Sequence, residues 1–387
     1  MPPKIHFFAN GVFTTSLAGG DFHFLELAKV AAAEGFVVNY FGGHALKEAL
    51  AQHQIPGTVT LTDDAAIGKV NQASLGGQWG MFRDFYRRYR RTMQLRSQIA
   101  PEDFVYAVSD YWFDVLPVVR CAARRKLMVL HMLAPTFGQW LRNPRPAALH
   151  YFLSQNHSLK TFRRSGGKLL YIHPNMRRGL REHGFSDAQL DYISAGCDVR
   201  AGEAVPPQPK EFDVAWIGRV HPQKGTDDLV GTLAFLAGKV PDFKAVLIGR
   251  LAELKPRFEQ LGILKNITLV DRVSEAEKFR LLKSGRMFLL PSRYEGSGSS
   301  AAREAIVSGL AVVAYELDVF RPVFGDLLRY VPPFDLAAFQ TAALDTLVQV
   351  RSGKFQPDAA GVTALKQTCA WDAVGKRFVQ ILRTLPE

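Results

Sequence analysis

No stretch of this chain approaches the ~18 uninterrupted apolar residues of a membrane-spanning helix, so no span is expected. Cysteine is scarce. Cys121, Cys197 and Cys369 are scattered and odd in number, which argues against a disulfide framework and fits a reducing cytosol. They also lack metal-ligand spacing. The adjacent acids Asp63-Asp64 and Asp227-Asp228 read as turns or helix caps, so no metal is expected. No G-x-G-x-x-G fingerprint is found, which disfavours a NAD-dependent enzyme. The opening Met-Pro-Pro-Lys-Ile-His-Phe-Phe-Ala holds a short apolar patch but no signal-like apolar region. Short-period repeats and low-complexity tracts are also missing. Acidic residues are the minority charge: 36 Asp and Glu stand against 48 Lys and Arg, a net +12. That balance attracts anionic partners such as nucleic acid, acidic lipid surfaces or phosphorylated ligands. No nucleic-acid motif accompanies it, so nucleic acid is not the expected partner.

What is present reads as α/β. The 387 residues suggest about two to three domains, and 47% hydrophobic content supports full cores. Candidate strands in the first half are Lys4–Ala9, Phe36–Phe41, Thr58–Leu61, Phe104–Val108, Leu127–His131, Lys168–Ile172 and Leu190–Ser194. The second half offers Phe212–Ile217, Lys244–Ile248, Ile267–Val270, Met287–Leu290 and Ala311–Ala314. Helical patterns separate most of them, among them Phe22–Glu34, Trp112–Arg124, Thr226–Gly238, Glu275–Lys283, Ser300–Ser308 and Leu336–Val350. Short apolar runs alternating with helices imply βαβ units and parallel sheets. Two such sets imply two doubly wound, Rossmann-like domains. The expected division is a first domain over 1–203, a linker over 204–211 with three prolines in four positions, and a second domain over 212–364. Residues 365–387 read as a terminal helix able to pack back on the first domain.

The charge is not uniform. Phe82–Arg96 carries six arginines and one acid, and Phe82, Phe85, Tyr86 and Tyr89 recur at helical spacings. This predicts a basic helix with an aromatic stripe.

Three segments suit phosphate and hydroxyl chemistry. The first is Pro291-Ser-Arg-Tyr-Glu-Gly-Ser-Gly-Ser-Ser-Ala-Ala-Arg-Glu304, a Gly/Ser loop bracketed by Glu295 and Glu304 that runs into a helix. Gly296 and Gly298 let backbone N–H groups approach an anion, the helix N-terminus favours negative charge, and the carboxylates accept from sugar hydroxyls. The second is Ile217-Gly-Arg-Val-His-Pro-Gln-Lys-Gly225, where Arg219 and Lys224 follow a strand and suit a diphosphate. The third is Gly19-Gly20 before a helix, where a phosphate could come close. His131 ends an apolar strand, where the crevice of an open α/β sheet lies, but His6, His173 and His221 also lie at or near strand ends or loops, and the residues alone do not choose among them.

Together these features resemble the two-domain GT-B glycosyltransferases, and within them the retaining family 4 (glycosyltransferase group 1) type. The likeness covers nearly the whole chain and is strongest at Gly218-Arg219…Lys224-Gly225 and at Tyr294-Glu-Gly-Ser-Gly…Arg-Glu-Ala-Ile-Val-Ser-Gly-Leu-Ala-Val-Val-Ala314. The resemblance implies two Rossmann-like domains with a cleft between them, and assigns Gly218, Arg219 and Lys224 to the donor's diphosphate. It assigns Glu304 to the nucleotide ribose and Glu295 to the donor sugar. Backbone amides of Gly296, Ser297, Gly298, Ser299 and Ser300 would meet sugar and phosphates. Gly19 and Gly20 fall on the Gly-rich loop of the first domain, and His131 falls near the reacting carbon. There are departures. The family's two carboxylates stand one residue closer than Glu295 and Glu304, Ser297 replaces an aromatic, and Ala195 replaces the Asn of a turn.

The implied reaction is transfer of a hexose-type sugar from a nucleotide diphosphate sugar to a glycan or lipid-linked acceptor, with retention and without a metal. The leaving diphosphate would be stabilised by Arg219, Lys224 and the helix N-terminus near Ser299–Ser300. The expected co-substrate is a UDP-sugar ahead of a GDP-sugar, with no further cofactor. The expected location is the cytoplasm, peripheral on the inner membrane face if Phe82–Arg96 docks on an anionic membrane or a lipid diphosphate acceptor, the alternative being a helix whose aromatic face packs into the core while its arginines are solvated. The alternatives are a non-hydrolysing sugar-nucleotide epimerase of the same fold, or a basic nucleic-acid- or membrane-binding protein without catalysis.

Overall fold

The computed structural model describes residues 2–12, 19–64, 75–134 and 146–386. The chain forms two units, Met1–Ser194 together with Val374–Glu387, and Ala195–Ala373.

The first unit holds a seven-stranded, wholly parallel sheet. Its strands are β1 (Lys4–Phe8), β2 (Val37–Gly42), β3 (Thr58–Leu61), β4 (Phe104–Ala107), β5 (Arg125–Leu130), β6 (Lys168–Tyr171) and β7 (Leu190–Tyr192), in spatial order β3-β2-β1-β4-β5-β6-β7. The order reverses direction at β1 and β4, so the strand C-terminal ends there open a crevice. β1 and β4 lie mid-sheet and are buried on both faces, which is why Ile-His-Phe-Phe and Phe-Val-Tyr-Ala are near-continuous apolar runs.

The second unit repeats the scheme with β8 (Phe212–Ile217), β9 (Ala245–Ile248), β10 (Ile267–Val270), β11 (Gly285–Leu290), β12 (Ala311–Tyr315) and β13 (Leu328–Val331), in order β10-β9-β8-β11-β12-β13. Its switch point lies between β8 and β11. The loops that leave those two strands are the two donor-site candidates, 218–225 and 291–299.

Every strand expected from the sequence is present, within two residues at either end. β13 was not anticipated. It is a four-residue edge strand, Leu-Arg-Tyr-Val, whose exposed Arg329 breaks the apolar run. The terminal segment is two helices, not one. Ala359–Cys369 and Trp371–Thr384 are separated by Ala370, whose extended backbone (φ −60°, ψ 135°) pairs with Cys197. The second of these helices sets Phe378 edge-on against Tyr106 of β4 and aligns Arg377 with Asp191 and Arg383 with Glu34, all within the first unit.

The basic helix spans Leu75–Leu95 and does not present all of its arginines to solvent. Arg88 is 1% exposed and donates to the Asn10 and Val12 carbonyls and to Asp63. It therefore ties the chain leaving β1 to the chain leaving β3. The aromatic stripe packs on the helix Trp112–Arg120, with the Phe85 and Phe113 rings stacked 4.1 Å apart and Tyr89 edge-on to Trp112. Phe82 and Tyr86 stay exposed beside Arg83, Arg87, Arg90 and Arg91. Among the described residues no helix is long and apolar enough to cross a membrane.

Candidate functional site

The loop after β8 is shaped by two glycines. Gly218 lies against the Trp216 indole, which a side chain there would strike. Gly225 has φ +62°, and a Cβ on it would overlap the Pro291 carbonyl oxygen. Glycine at 225 thus lets the two loops touch. Between these glycines, Pro222–Lys224 forms a 3-10 turn capped by the His221 ring, which accepts from the Gln223 amide at 3.1 Å. The turn aims Lys224 at the neighbouring loop, while Arg219 is exposed and makes no ion pair among the described residues.

The loop after β11 is laced to the first. The Arg293 amide donates to the Gln223 carbonyl at 2.8 Å, and Gln223 Nε2 donates to the Tyr294 carbonyl at 3.1 Å. Lys224 Nζ lies 2.6 Å from Glu295 Oε1, which also accepts from Ser292 Oγ at 2.8 Å. The Glu295 side chain is 8% exposed and that of Lys224 22%. Arg293 reaches back to Asp228 through both carboxylate oxygens at 3.0 and 2.8 Å, and Tyr315 donates to the same carboxylate at 2.9 Å. Asp228 is therefore a structural anchor. The Asp63 carboxylate accepts the first amide of the helix His44–Gln52 at 3.0 Å.

Gly298 (φ +72°) turns the chain into the helix Ser300–Val307, and Ser299 caps that helix by accepting from the Ala302 amide. Gly296, Ser297 and Ser300 complete this stretch and are partly or fully exposed. Behind it, buried Arg303 donates to the carbonyls of Ser297 and Gly298 at 2.8 and 3.1 Å and lies over the Phe324 ring. With those carbonyls held from behind, the loop's curvature is set. Arg303 stood in the motif without an assigned role. Its signal was a charge between Ala302 and Glu304 on a helix whose other inward residues, Ala302, Ala305 and Ile306, are apolar.

Glu304 comes one turn later. Its Oε1 accepts from Lys278 Nζ at 2.7 Å. Burial raises the Glu304 carboxyl above its ordinary value; Lys278 opposes this, and Glu275 and Asp198 add to it. For Lys278, burial pulls downward, but Glu304 and Glu275 outweigh it and hold the ammonium up to about 12. Asp198, in the turn that follows β7, caps the helix Val199–Ala204 by accepting from the Ala201 amide at 2.9 Å. Lys278 was not singled out from the sequence, where it is one charge in the mixed run Glu-Ala-Glu-Lys-Phe-Arg.

The second unit therefore brings together Gly218, Arg219, Lys224, Glu295, Ser299 and the Gly/Ser loop at one switch point, with Glu304 on the helix behind that loop. Gly19, Gly20 and His131 belong to the first unit. Gly19 and Gly20 are the first residues of the helix Gly19–Ala33 rather than a loop ahead of it. His131 follows β5, and its ring lies against Gly20, where a Cβ would come within 3.0 Å of Cδ2. Both ring nitrogens are buried without a hydrogen-bond partner among the described residues, and His23 stands edge-on at 5.8 Å. Burial lowers the imidazole to about 4, so it is neutral at pH 7.

Residues 202–342 match the model of a family described as glycosyl transferases group 1. The chain is similar to a phosphatidyl-myo-inositol mannosyltransferase of Mycolicibacterium smegmatis, 27% identical over 177 residues, covering 44% of this chain and 45% of that protein. A lipopolysaccharide core biosynthesis mannosyltransferase of Rhizobium meliloti is 32% identical over 131 residues, 32% of this chain and 36% of that protein. The matches thus span less than half the length of these relatives. Among solved structures, sucrose-phosphate synthase from Thermosynechococcus elongatus superposes with a TM-score of 0.73 at 15% identity, covering 99% of both chains. Anabaena HepE in complex with UDP-glucose does so with a TM-score of 0.69 at 15% identity, covering 99% of this chain and 100% of that one. The α/β fold with two parallel Rossmann-like sheets is that of these GT-B structures.

Proposed function

Since residues 202–342 belong to the glycosyl transferases group 1 family, we propose that this protein is a retaining glycosyltransferase. It moves a hexose-type sugar from a nucleotide diphosphate sugar to a glycan or lipid-linked acceptor. The observation that carries this reading is the joining of loops 218–225 and 291–299 through Lys224 and Glu295. A cation for the diphosphate and a carboxylate for the sugar are thereby held within one hydrogen bond of each other. Lys224 spends one of its three N–H groups on Glu295 and keeps two for phosphate oxygens. Glu295 accepts twice at Oε1 and keeps Oε2 for a sugar hydroxyl. Arg219, exposed beside them, meets the diphosphate through its fork.

In this reading the bond from the anomeric carbon to the phosphate oxygen breaks as the acceptor oxygen attacks the same face. The departing diphosphate takes the acceptor's proton. Arg219, Lys224 and the amides at Ser299–Ser300 bear the developing charge, so no metal is called on. Glu304 accepts from the ribose. Burial keeps His131 neutral at pH 7, so this reading does not use it as a strong base. Relatives named as mannosyltransferases and a neighbour solved with UDP-glucose support a hexose donor. We keep a UDP-sugar ahead of a GDP-sugar. The exposed arginines of the helix Leu75–Leu95 dock on anionic lipid and hold the protein at the cytoplasmic membrane face.

The test is a thermal-shift screen of nucleoside diphosphates and their sugars, followed by assay of nucleoside diphosphate release with candidate acceptors. Acceptor-dependent release with a retained anomer is expected. Conversion of the sugar nucleotide to an isomer without acceptor would instead identify an epimerase.

A further inference from the structure

We infer that Lys278 is a positioning residue of the donor site, holding the Glu304 carboxylate so that its second oxygen is left to accept from the nucleotide ribose. This deepens the proposed function and rests on the reading of Glu304 as the ribose ligand.

Lys278 lies on the helix Glu275–Lys283 and is 7% exposed, unusual burial for a lysine. Its ammonium reaches Glu275 Oε2 at 2.6 Å and Glu304 Oε1 at 2.7 Å, and sits 4.8 Å from the Phe279 ring centroid. The two carboxylates are not equivalent. The Glu275 side chain is 59% exposed and water can replace its partner. The Glu304 side chain is 16% exposed, and Lys278 is its ion-pair partner among the described residues.

The surroundings of Glu304 are otherwise hostile to a carboxylate. Asp198 and Glu275 both act on it with like charge, and the Cys197 thiol lies close enough to feel its field. Without the ammonium, a buried carboxylate would take up a proton or swing toward water. Either outcome removes an ionised acceptor of defined orientation. With the ammonium, Oε1 is occupied and Oε2 makes no hydrogen bond with a described residue. Holding one oxygen of a carboxylate leaves the other in a known place, which is what recognition of a ribose hydroxyl needs.

The experiment measures Kd by calorimetry for UDP, GDP and the 2′-deoxy and 3′-deoxy forms of each, on wild type, Lys278→Met, Lys278→Arg and Glu304→Gln. Whichever base binds wild type more tightly is used for the ratios. The wild type is expected to favour the ribose form by ~10-fold or more over at least one deoxy form, as suits a hydrogen bond to a charged acceptor. In Lys278→Met that preference falls to within ~2-fold of unity, and Lys278→Arg restores most of it. A purely structural lysine would weaken ribose and deoxy forms equally. Retention of the full preference in Lys278→Met, together with its loss in Glu304→Gln, overturns the role of Lys278 and leaves the ribose reading intact. Retention in Glu304→Gln overturns the ribose reading and this inference with it. If Lys278→Met does not fold, Lys278→Gln, which keeps a donor but no charge, is judged by the same ratio.

Discussion

Replacing Lys224 with Ala tests whether the cation serves chemistry or architecture, because the two predict different magnitudes. The Lys224 side chain is 22% exposed and its ammonium lies 2.6 Å from Glu295, whose side chain is 8% exposed. Exposed ion pairs are worth up to ~1 kcal/mol, and breaking a buried one costs ~3–5 kcal/mol. Here Lys224 reaches solvent and Ser292 Oγ still donates to Glu295, so the stability loss should lie near ~1–2 kcal/mol. The catalytic loss should be larger. Removing one fixed donor from a developing anion lowers kcat by ~10²–10³, or ~3–4 kcal/mol. The assay pairs kcat for nucleoside diphosphate release at saturating donor with urea unfolding of the same preparation. Lys224→Arg, which keeps the charge, should recover part of kcat, and Glu295→Gln should leave more turnover than Lys224→Ala. Turnover of Lys224→Ala within ~3-fold of wild type would refute the diphosphate role.

The remaining predictions concern other parts of the chain. Gly225→Ala should lose roughly 3 kcal/mol or more by urea denaturation, from left-handed backbone plus overlap with the Pro291 carbonyl; a loss under ~1 kcal/mol would deny the close approach of the loops. His131 carries a folded value of about 4 against an unfolded ~6.5. A depressed value means its contribution is full above pH ~6.5 and is lost as pH falls toward 4, ~3 kcal/mol in all. The stability difference between pH 7 and 4.5 should therefore shrink by most of that amount in His131→Gln, and equal acid sensitivity of the two proteins would contradict the burial of the imidazole. For the basic helix, co-sedimentation with vesicles containing acidic lipid should exceed that with neutral vesicles, and Arg87→Gln with Arg91→Gln should weaken it ~30-fold. Equal binding to neutral vesicles would sink the electrostatic account.

The architecture was legible because it is written in local pattern. Runs such as Val214–Ile217 and Met287–Leu290 are apolar throughout, as strands covered on both faces must be, and the helices between them enforce parallel order. The diphosphate and hydroxyl candidates were legible for the same reason: they follow those strands directly, at the ends where crevices open. What the linear order concealed was partnership. Arg88 reads as one of six arginines, yet tertiary packing turns it inward onto the Asn10 and Val12 carbonyls and Asp63. Cys197 and Ala370 pair across more than 170 intervening positions, which breaks a helix that periodicity alone would continue. The Gly/Ser loop showed its two carboxylates in sequence, but not that Lys224 takes one and Lys278 the other. A side chain's type and spacing say which chemistry it can perform. Which charge lies within 3 Å of it is decided only when helices distant in sequence pack over the same sheet, because a buried charge is stable only beside its complement.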